Sequence, residues 1–104
     1  MAFNSYISLK SFALTVESDS TFGEDNLIDL EGKIATYISF INYGDSVVTV
    51  RFDDDPESDW RLPNESSQVF HHLDVMCGKI DFQLTESGAS ASAIEVQLGV
   101  QKVD

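Results

Sequence analysis

The segment 33–52 constrains the fold more than any other, because its side chains alternate with a period of two residues. One face of its first half carries Ile34, Thr36, Ile38, Phe40 and Asn42. A turn-forming run, 43–46, separates it from a valine-rich second half, 47–52. β-branched and aromatic residues suit a pleated surface, and Gly44 can adopt the positive φ of a tight reversal. The pattern predicts a β-hairpin of two central strands whose shared apolar face is Ile38, Phe40, Val48, Val50 and Phe52.

The same alternation recurs along the rest of the chain, interrupted by turn-forming and acidic runs. Further strands are predicted at 3–16, 60–62, 67–75, 80–84 and 94–100, with 27–30 either a short edge strand or one helical turn. The apolar positions of 3–16 change parity near Lys10 and Ser11, which predicts a β-bulge or a change of sheet there. Polar loops are predicted at 17–26, 53–59, 63–66 and 86–92.

This arrangement predicts one all-β domain over residues 1–104. Seven or eight short strands with one polar face each are typical of antiparallel sheets. We therefore expect a single antiparallel β-sandwich, jelly-roll-like or Ig-like, with a small barrel as the alternative.

The charge of the chain disfavours two classes of partner. Six basic and 18 acidic residues give a formal net charge of −12. Binding to nucleic acid or to anionic lipid depends on clustered cations, so neither partner is expected. A high charge of one sign also keeps a small domain soluble. No run of about 18 apolar residues predicts a membrane span, and no signal peptide is recognised, so we expect synthesis in a reducing cytoplasm.

The acidic loop is the one candidate metal site in the sequence. Asp53, Asp55, Glu57 and Asp59 occupy alternate positions, and carboxylate oxygens are calcium ligands. Ser58 and Asn64 stand where an EF-hand loop needs its glycine and its bidentate glutamate. A solvated loop is the favoured interpretation, a weak calcium site is the alternative, and no cofactor is expected.

No motif of an enzyme is recognised. The sequence has no Gly-x-Ser-x-Gly elbow, His-Glu-x-x-His helix or phosphate-binding glycine loop. His71 and His72 are adjacent, so in a strand they would point to opposite faces; His71 is expected in the core or an interface and His72 in solvent. Cys77, the only cysteine, is expected to be a small buried apolar residue.

Part of the sequence resembles a known class of virion proteins. The resemblance extends over about 34–100 and depends on the turn 62–66 (LPNES), the run 78–82 (GKIDF), a Ser-Gly-Ala-Ser loop and the closing strand 94–100 (IEVQLGV). These features are similar to those of small β-sandwich virion proteins of tailed bacteriophages, which decorate or cement capsids or sit on tails and baseplates. The resemblance implies a non-enzymatic structural role in several copies.

The expected function is therefore a capsid decoration or cement subunit of a bacteriophage virion, made in the host cytoplasm. The expected partners are the major capsid protein or another virion protein, together with further copies of this chain as a homo-oligomer. Segment 1–11 is the predicted inter-subunit strand, joining by β-augmentation. The expected interface residues are Phe3, Tyr6, Ile7, Leu9 and Trp60.

Two alternatives remain at this point. One is an acidic inhibitor that mimics the charge of nucleic acid, which would need Asp19, Glu24, Asp25, Asp53, Asp54, Asp55, Glu57 and Asp59 on one face. The other is a tail-associated, carbohydrate-binding or receptor-binding module, with Trp60 as a stacking platform for a sugar. Trp60 is more commonly a core or interface anchor, and we favour that role for it.

Overall fold

Two four-stranded antiparallel sheets pack face to face in the structure, a computed structural model that describes residues 8–17, 22–23, 26–86 and 88–102. The first sheet has the order β1-β8-β3-β6 and the second the order β2-β7-β4-β5. One short 3-10 turn, Pro56–Ser58, is the helical element of the described residues. The strands are β1 (Ser8–Val16), β2 (Ile28–Asp29), β3 (Lys33–Asn42), β4 (Val48–Phe52), β5 (Trp60–Leu62), β6 (Ser66–Phe70), β7 (Lys79–Leu84) and β8 (Ser92–Lys102). The predicted β-sandwich is confirmed.

The strand order is that of a jelly roll. Strand β1 pairs with β8, β2 with β7, β3 with β6 and β4 with β5, so the first four strands form one half of a ribbon and the last four return along it. The β3–β8 and β4–β7 pairs then complete the two sheets. Eight strands wound in this way are the jelly-roll arrangement, and an immunoglobulin sandwich divides its strands differently.

The core lies between the sheets and has Phe40 at its centre. The Phe40 ring contacts the rings of Trp60 at 5.6 Å, Phe82 at 5.8 Å, Phe70 at 6.3 Å and Phe52 at 6.5 Å between centroids. Most of these contacts are edge-to-face or tilted, which is the geometry that aromatic quadrupoles favour. Aliphatic residues complete the buried set, among them Ile38, Val48, Val50, Leu62, Ile80, Ile94, Val96 and Leu98.

The hairpin predicted over 33–52 is wrong, although both of its strands exist. Strand β3 lies in the first sheet and β4 in the second, and each is central in its own sheet. The apolar residues predicted to share a face meet in the core from opposite sides instead. A period of two places alternate residues toward a core in either arrangement, so it does not distinguish paired strands from facing ones.

Close packing, and not a positive φ, explains the glycine in the connection between β3 and β4. Gly44 does not have a positive φ, whereas Gly23, Gly32 and Gly88 do. A Cβ atom at Gly44 would lie 2.2 Å from Ser92 Oγ and 2.6 Å from Ser92 Cα. The chain can cross between the sheets here because glycine leaves room for the start of β8.

The buried side chain of Asn42 stabilises this crossing between the sheets. Its Nδ2 donates to the carbonyl oxygens of Ser46 at 2.9 Å and Pro63 at 3.2 Å. Its Oδ1 accepts from the Gly44 backbone N–H at 2.9 Å. One amide thus satisfies backbone groups of two connections, and both its donor and its acceptor are needed.

Two further local predictions are wrong. Strand β1 pairs with β8 without a register shift from Ser8 to Val16, so it contains no bulge. The apolar pattern changes parity because Leu9 faces outward. The bulge occurs in β3, between Ala35 and Tyr37, where Ala35 and Thr36 are both buried. The strand predicted over 67–75 ends at Phe70.

The short segment 27–30 contains the edge strand β2, so the strand alternative was correct. Within the described residues, no helix has the length and apolar character needed to cross a membrane.

Replacement of Asn42 by aspartate tests the crossing. In the Asn42→Asp variant a carboxylate would face carbonyl oxygens. The variant loses a buried donor and gains a buried charge, which should lower the unfolding free energy by about 3 kcal/mol or more. Urea denaturation at neutral pH measures this. The control is Asn64→Asp in an exposed turn, which should change stability by no more than about 0.5 kcal/mol. Equal stability of the two variants would contradict the role assigned to Asn42.

Candidate interaction surface

The charges of the chain are divided between strands and connections. All six basic residues lie in strands, namely Lys10, Lys33, Arg51, Arg61, Lys79 and Lys102. Among the described residues, the only acidic ones in strands are Asp29, Asp81 and Glu95. The remaining described carboxylates belong to the connections. Among the described residues, the strands therefore hold more bases than acids, and the excess of negative charge belongs to the connections.

These connections lie at the two ends of the sandwich. At one end, Glu65 N–H donates to the Gly44 carbonyl at 3.1 Å. At the other end, Leu30 N–H donates to the Gly78 carbonyl at 3.0 Å, and Asp53 N–H donates to the Lys79 carbonyl at the same distance. Backbone bonds thus join loops that are far apart in sequence, and both ends of the molecule are acidic.

The outer surface of the first sheet, which we name the neutral face, is nearly free of charge. Cross-strand partners lie on the same side of a sheet, so the register identifies the members of this face. They are Leu9, Ser11, Ala13 and Thr15 of β1, Ala93, Glu95, Gln97 and Gly99 of β8, Tyr37, Ser39 and Ile41 of β3, and Ser67 and Val69 of β6. Glu95 is the only charged residue among them, in a chain that is 23% charged.

Glu95 is itself engaged by a neighbour. The Tyr43 hydroxyl donates to Glu95 Oε2 at 3.1 Å. This hydrogen bond and the negative charge of Glu95 raise the pKa of Tyr43. The single carboxylate of the neutral face therefore accepts a hydrogen bond from a residue at the border of that face.

A shallow groove of about 460 Å3 crosses one end of the neutral face. Gly99 forms its floor between Leu9 on β1 and Tyr37 on β3, because these three residues are cross-strand partners. Ser11, Gln97 and His72 add polar groups to the lining, and Lys10 adds one positive charge at its edge. Leu9 stands at the rim with 81% of its surface exposed. The groove has apolar walls and no convergent pair of catalytic groups, which is a property of contact surfaces more than of active sites.

The outer surface of the second sheet differs, because charged residues pair across it. Arg51 binds Asp59 through two hydrogen bonds of 2.8 and 2.9 Å, and Lys79 binds Asp54 at 3.1 Å. The Arg51 guanidinium lies 3.9 Å from the centroid of the Phe22 ring. Each of these pairs gives a base a local partner, whereas Arg61 on the same surface is exposed.

Asp81 is the exception on this surface, because it is buried. Its Oδ2 accepts from the Gly23 backbone N–H and its Oδ1 accepts from the Phe82 N–H at 2.9 Å. Burial raises the pKa of Asp81, against the smaller opposing effect of the two backbone donors and of Arg51. Asp81 lies between the core residues Ile80 and Phe82 and so faces away from the core, where residues 22–23 cover it.

The four carboxylates of the calcium candidate are used separately. Asp53 Oδ1 accepts from the backbone N–H groups of Gly78 and Lys79 at 2.8 and 3.0 Å. Asp55 caps the 3-10 turn by accepting from Glu57 N–H at 3.0 Å, and Asp59 binds Arg51. No cluster of three or more candidate metal ligands occurs among the described residues. Three of these four carboxylates thus organise the loop itself.

The aromatic and titratable candidates lie apart from one another. Trp60 packs in the aromatic core, with its ring 5.5 Å from that of Phe70, and its buried Nε1 has no hydrogen-bond partner. His71 and His72 are exposed in the β6–β7 connection, so His71 is not in the core, and its place in an interface stays a prediction. Cys77 is buried, as predicted, and burial raises the pKa of its thiol to about 12.

The predicted interface residues have different positions. Phe3, Tyr6 and Ile7 lie outside the described residues, as do residues 1–7 of the predicted inter-subunit segment. Ser8 to Ser11 are part of β1 and pair with β8 of the same chain. Leu9 is fully on the surface, whereas Trp60 is half-buried.

Sequence reasoning missed the neutral face, although a signal was present. The outward residues of 8–16 and 92–102 include one carboxylate in a chain with 18. A count of charge by strand would have found this depletion. Assigning these residues to one surface also required the pairing of β1, β8 and β3, which the alternation did not supply.

Comparison with known protein families finds no family that matches the sequence, and comparison with curated proteins finds no relative.

The ionisation of Asp81 can be tested by the pH dependence of stability. Since its pKa is raised, the folded protein retains a proton that the unfolded chain has lost, so its contribution is complete at low pH and is lost as pH rises through the folded pKa. We expect the unfolding free energy of the wild type, relative to Asp81→Asn, to fall as the pH rises from about 4, the ordinary pKa of an aspartate, toward neutrality.

Urea denaturation of both proteins across this range gives that difference. Asp45→Asn, an exposed residue of the β3–β4 connection, serves as the control for removing one charge. A difference that grew in favour of the wild type as pH rose would show that the backbone donors outweigh the cost of burial.

Proposed function

We propose that this protein is a non-enzymatic structural protein of a bacteriophage virion, most consistent with a capsid decoration or cement subunit. The observation that carries the proposal is the neutral face of the first sheet. A protein–protein interface is depleted of charged residues at its centre, and this face is depleted relative to the rest of the chain.

The division of charge supports attachment by the walls of the sandwich. Two acidic ends repel one another and any acidic neighbour, so close approach of further subunits is least costly along the neutral face. The acidic ends would then stay in solvent, where they keep the particle surface soluble. A decoration subunit needs this combination of one adhesive side and solvated ends.

The rigidity of the domain supports the same role. The strands form two four-stranded sheets around an aromatic core, and side-chain hydrogen bonds hold exposed connections, as with Asp53 and Asp55. The jelly roll also occurs in viral capsid proteins, which is support by analogy of fold only, because lectins and cupins share it.

The described residues offer little for an enzymatic alternative. Ligand and catalytic sites combine a formed pocket with convergent titratable groups. Here the groove on the neutral face is shallow, Asp81 is covered by residues 22–23, and Asp53, Asp55 and Asp59 are engaged in hydrogen bonds within the protein.

Mass spectrometry of purified virions gives the direct test, through the copy number of this chain relative to the major capsid protein. Hundreds of copies per particle are expected for a decoration subunit, since such proteins follow the repeated symmetry of a shell. A few copies would place the protein on a tail or baseplate. Absence from the particle would contradict the proposal and favour the acidic inhibitor.

The contribution of the neutral face is tested by charging its centre. Ser39 and Gln97 are cross-strand partners on this face, and the Ser39→Asp, Gln97→Glu double variant should weaken binding to particles that lack the protein at least about tenfold, since buried unpaired charge is costly. Ser90→Asp with Ala91→Glu adds the same charge in an exposed connection and should bind normally. Equal binding of both variants would exclude the neutral face as the contact.

A further inference from the structure

The edge strand β1 differs from the other three edges of the two sheets. It has nine residues, whereas β6 has five, β5 three and β2 two. Within the described residues, β1 pairs with β8 on one side and with no strand on the other. Natural sheets protect their edges with short strands, prolines, bulges or charges, because an open edge is a template for another strand.

Strand β1 lacks most of these protective features. Its sequence, SLKSFALTV, has no proline, glycine or acidic residue, and its register with β8 is continuous. Lys10 is its only charged residue. The first acidic residue after the strand is Glu17, directly beyond Val16.

The residues of β1 are also poorly covered by the rest of the fold. Leu9 is 81% exposed, and Phe12 and Leu14 point toward the core but are only half-buried. The inner row of the strand thus presents apolar surface at the open edge of the sandwich. A further strand alongside β1 would cover Phe12 and Leu14 and extend the neutral face beyond Leu9.

The strand is complementary to itself in an antiparallel pair. Full overlap of two copies places the two-fold axis at Phe12, so that Ser8 faces Val16 of the second copy and Ser11 faces Ala13. Lys10 then faces Leu14, and the two Lys10 ammonium groups stay apart. No carboxylate is brought to the contact, although each chain has a net charge of −12.

We propose that two copies of this chain associate through β1, in an antiparallel pair about a two-fold axis, to form one continuous eight-stranded sheet. The occupant of the open edge is therefore a second copy, because the edge is matched in length, apolar pattern and charge by its own sequence. A ladder of nine paired residues forms about eight to ten backbone hydrogen bonds. The neutral faces of the two copies become one surface on the same side of the joined sheet.

This inference is independent of a place on a virion, since it concerns the purified protein alone. It refines the predicted association through segment 1–11 by assigning the contact to Ser8–Val16. Because each copy contributes the same edge to the contact, the contact is satisfied by two copies, so a dimer is expected and not an open fibre.

The test compares variants that change charge at two outward positions of β1. Ser11→Glu with Ala13→Glu places carboxylates directly opposite one another across the two-fold axis, twice, and should raise the dimer dissociation constant at least about tenfold. Ser11→Glu with Ala13→Lys places opposite charges in the same positions and should retain the dimer. Both residues are exposed in the single copy, and thermal unfolding by circular dichroism checks that each variant folds.

The matched control is the other edge of the same sheet. Ser67→Glu with Val69→Glu changes two exposed, outward residues of β6 and should leave the dimer intact. Sedimentation velocity over a range of concentrations measures all four proteins. A monomeric wild type, a dimer that survives Ser11→Glu with Ala13→Glu, or a dimer lost in the β6 control would each overturn the proposal.

Cross-linking reports the register directly. Antiparallel partners have Cα atoms about 4.5 to 5.5 Å apart, which suits a disulfide. The Ser11→Cys, Ala13→Cys variant should form a covalent dimer on mild oxidation, whereas Ser67→Cys, Val69→Cys should not. Buried Cys77 is present in both variants, so it does not account for a difference between them. Absence of the β1 cross-link in a folded dimer would exclude this register.

Discussion

The ring of Phe40 is the contact on which the two sheets depend. It lies on a central strand of the first sheet and touches Phe52, Trp60 and Phe82 of the second, and Phe70 of its neighbouring strand. Each aromatic pair contributes about 0.5–1.5 kcal/mol beyond the burial of its surface. Because these partners come from four different strands, one side chain fixes the relative position of most of the sandwich.

The crossing between β3 and β4 follows from this packing. Val48 and Val50 face the core from the second sheet, so the chain leaves the first sheet within a few residues of Phe40. Gly44 allows the close approach to Ser92, and Asn42 satisfies the backbone groups that the crossing would otherwise leave unpaired. Polar residues at this point are therefore structural, and they show that a buried amide at a sheet crossing need not indicate a binding site.

Charge is organised around the same framework. The strands hold the bases and the connections hold nearly all the described carboxylates, so the two ends are acidic and the neutral face is left open. The acidic loop satisfies most of its own carboxylates with backbone N–H groups and with Arg51. A chain with a net charge of −12 can thus present a surface suited to contact with other subunits. The reason is that its electrostatic repulsion is concentrated where subunits would not touch.

The sequence alone determined the class of fold, since alternation with a period of two specifies strands with one buried face. It predicted β7 and β8 to within two residues of their ends and the burial of Cys77, and it left 27–30 as either an edge strand or a helical turn. It did not determine which strands pair. Residues 33–52 could satisfy their pattern in a hairpin or across two sheets, because both arrangements bury the same side chains.

Tertiary structure decided everything that depends on that pairing. The register of β1, β8 and β3 brings Leu9, Gly99 and Tyr37 together from three separate parts of the chain, and the cover over Asp81 comes from residues 58 positions away. The alternation of apolar and polar residues indicates on which side of its own strand a side chain lies. Which side chains lie beside it on neighbouring strands depends on how the whole chain folds, and burial of the shared core drives that folding.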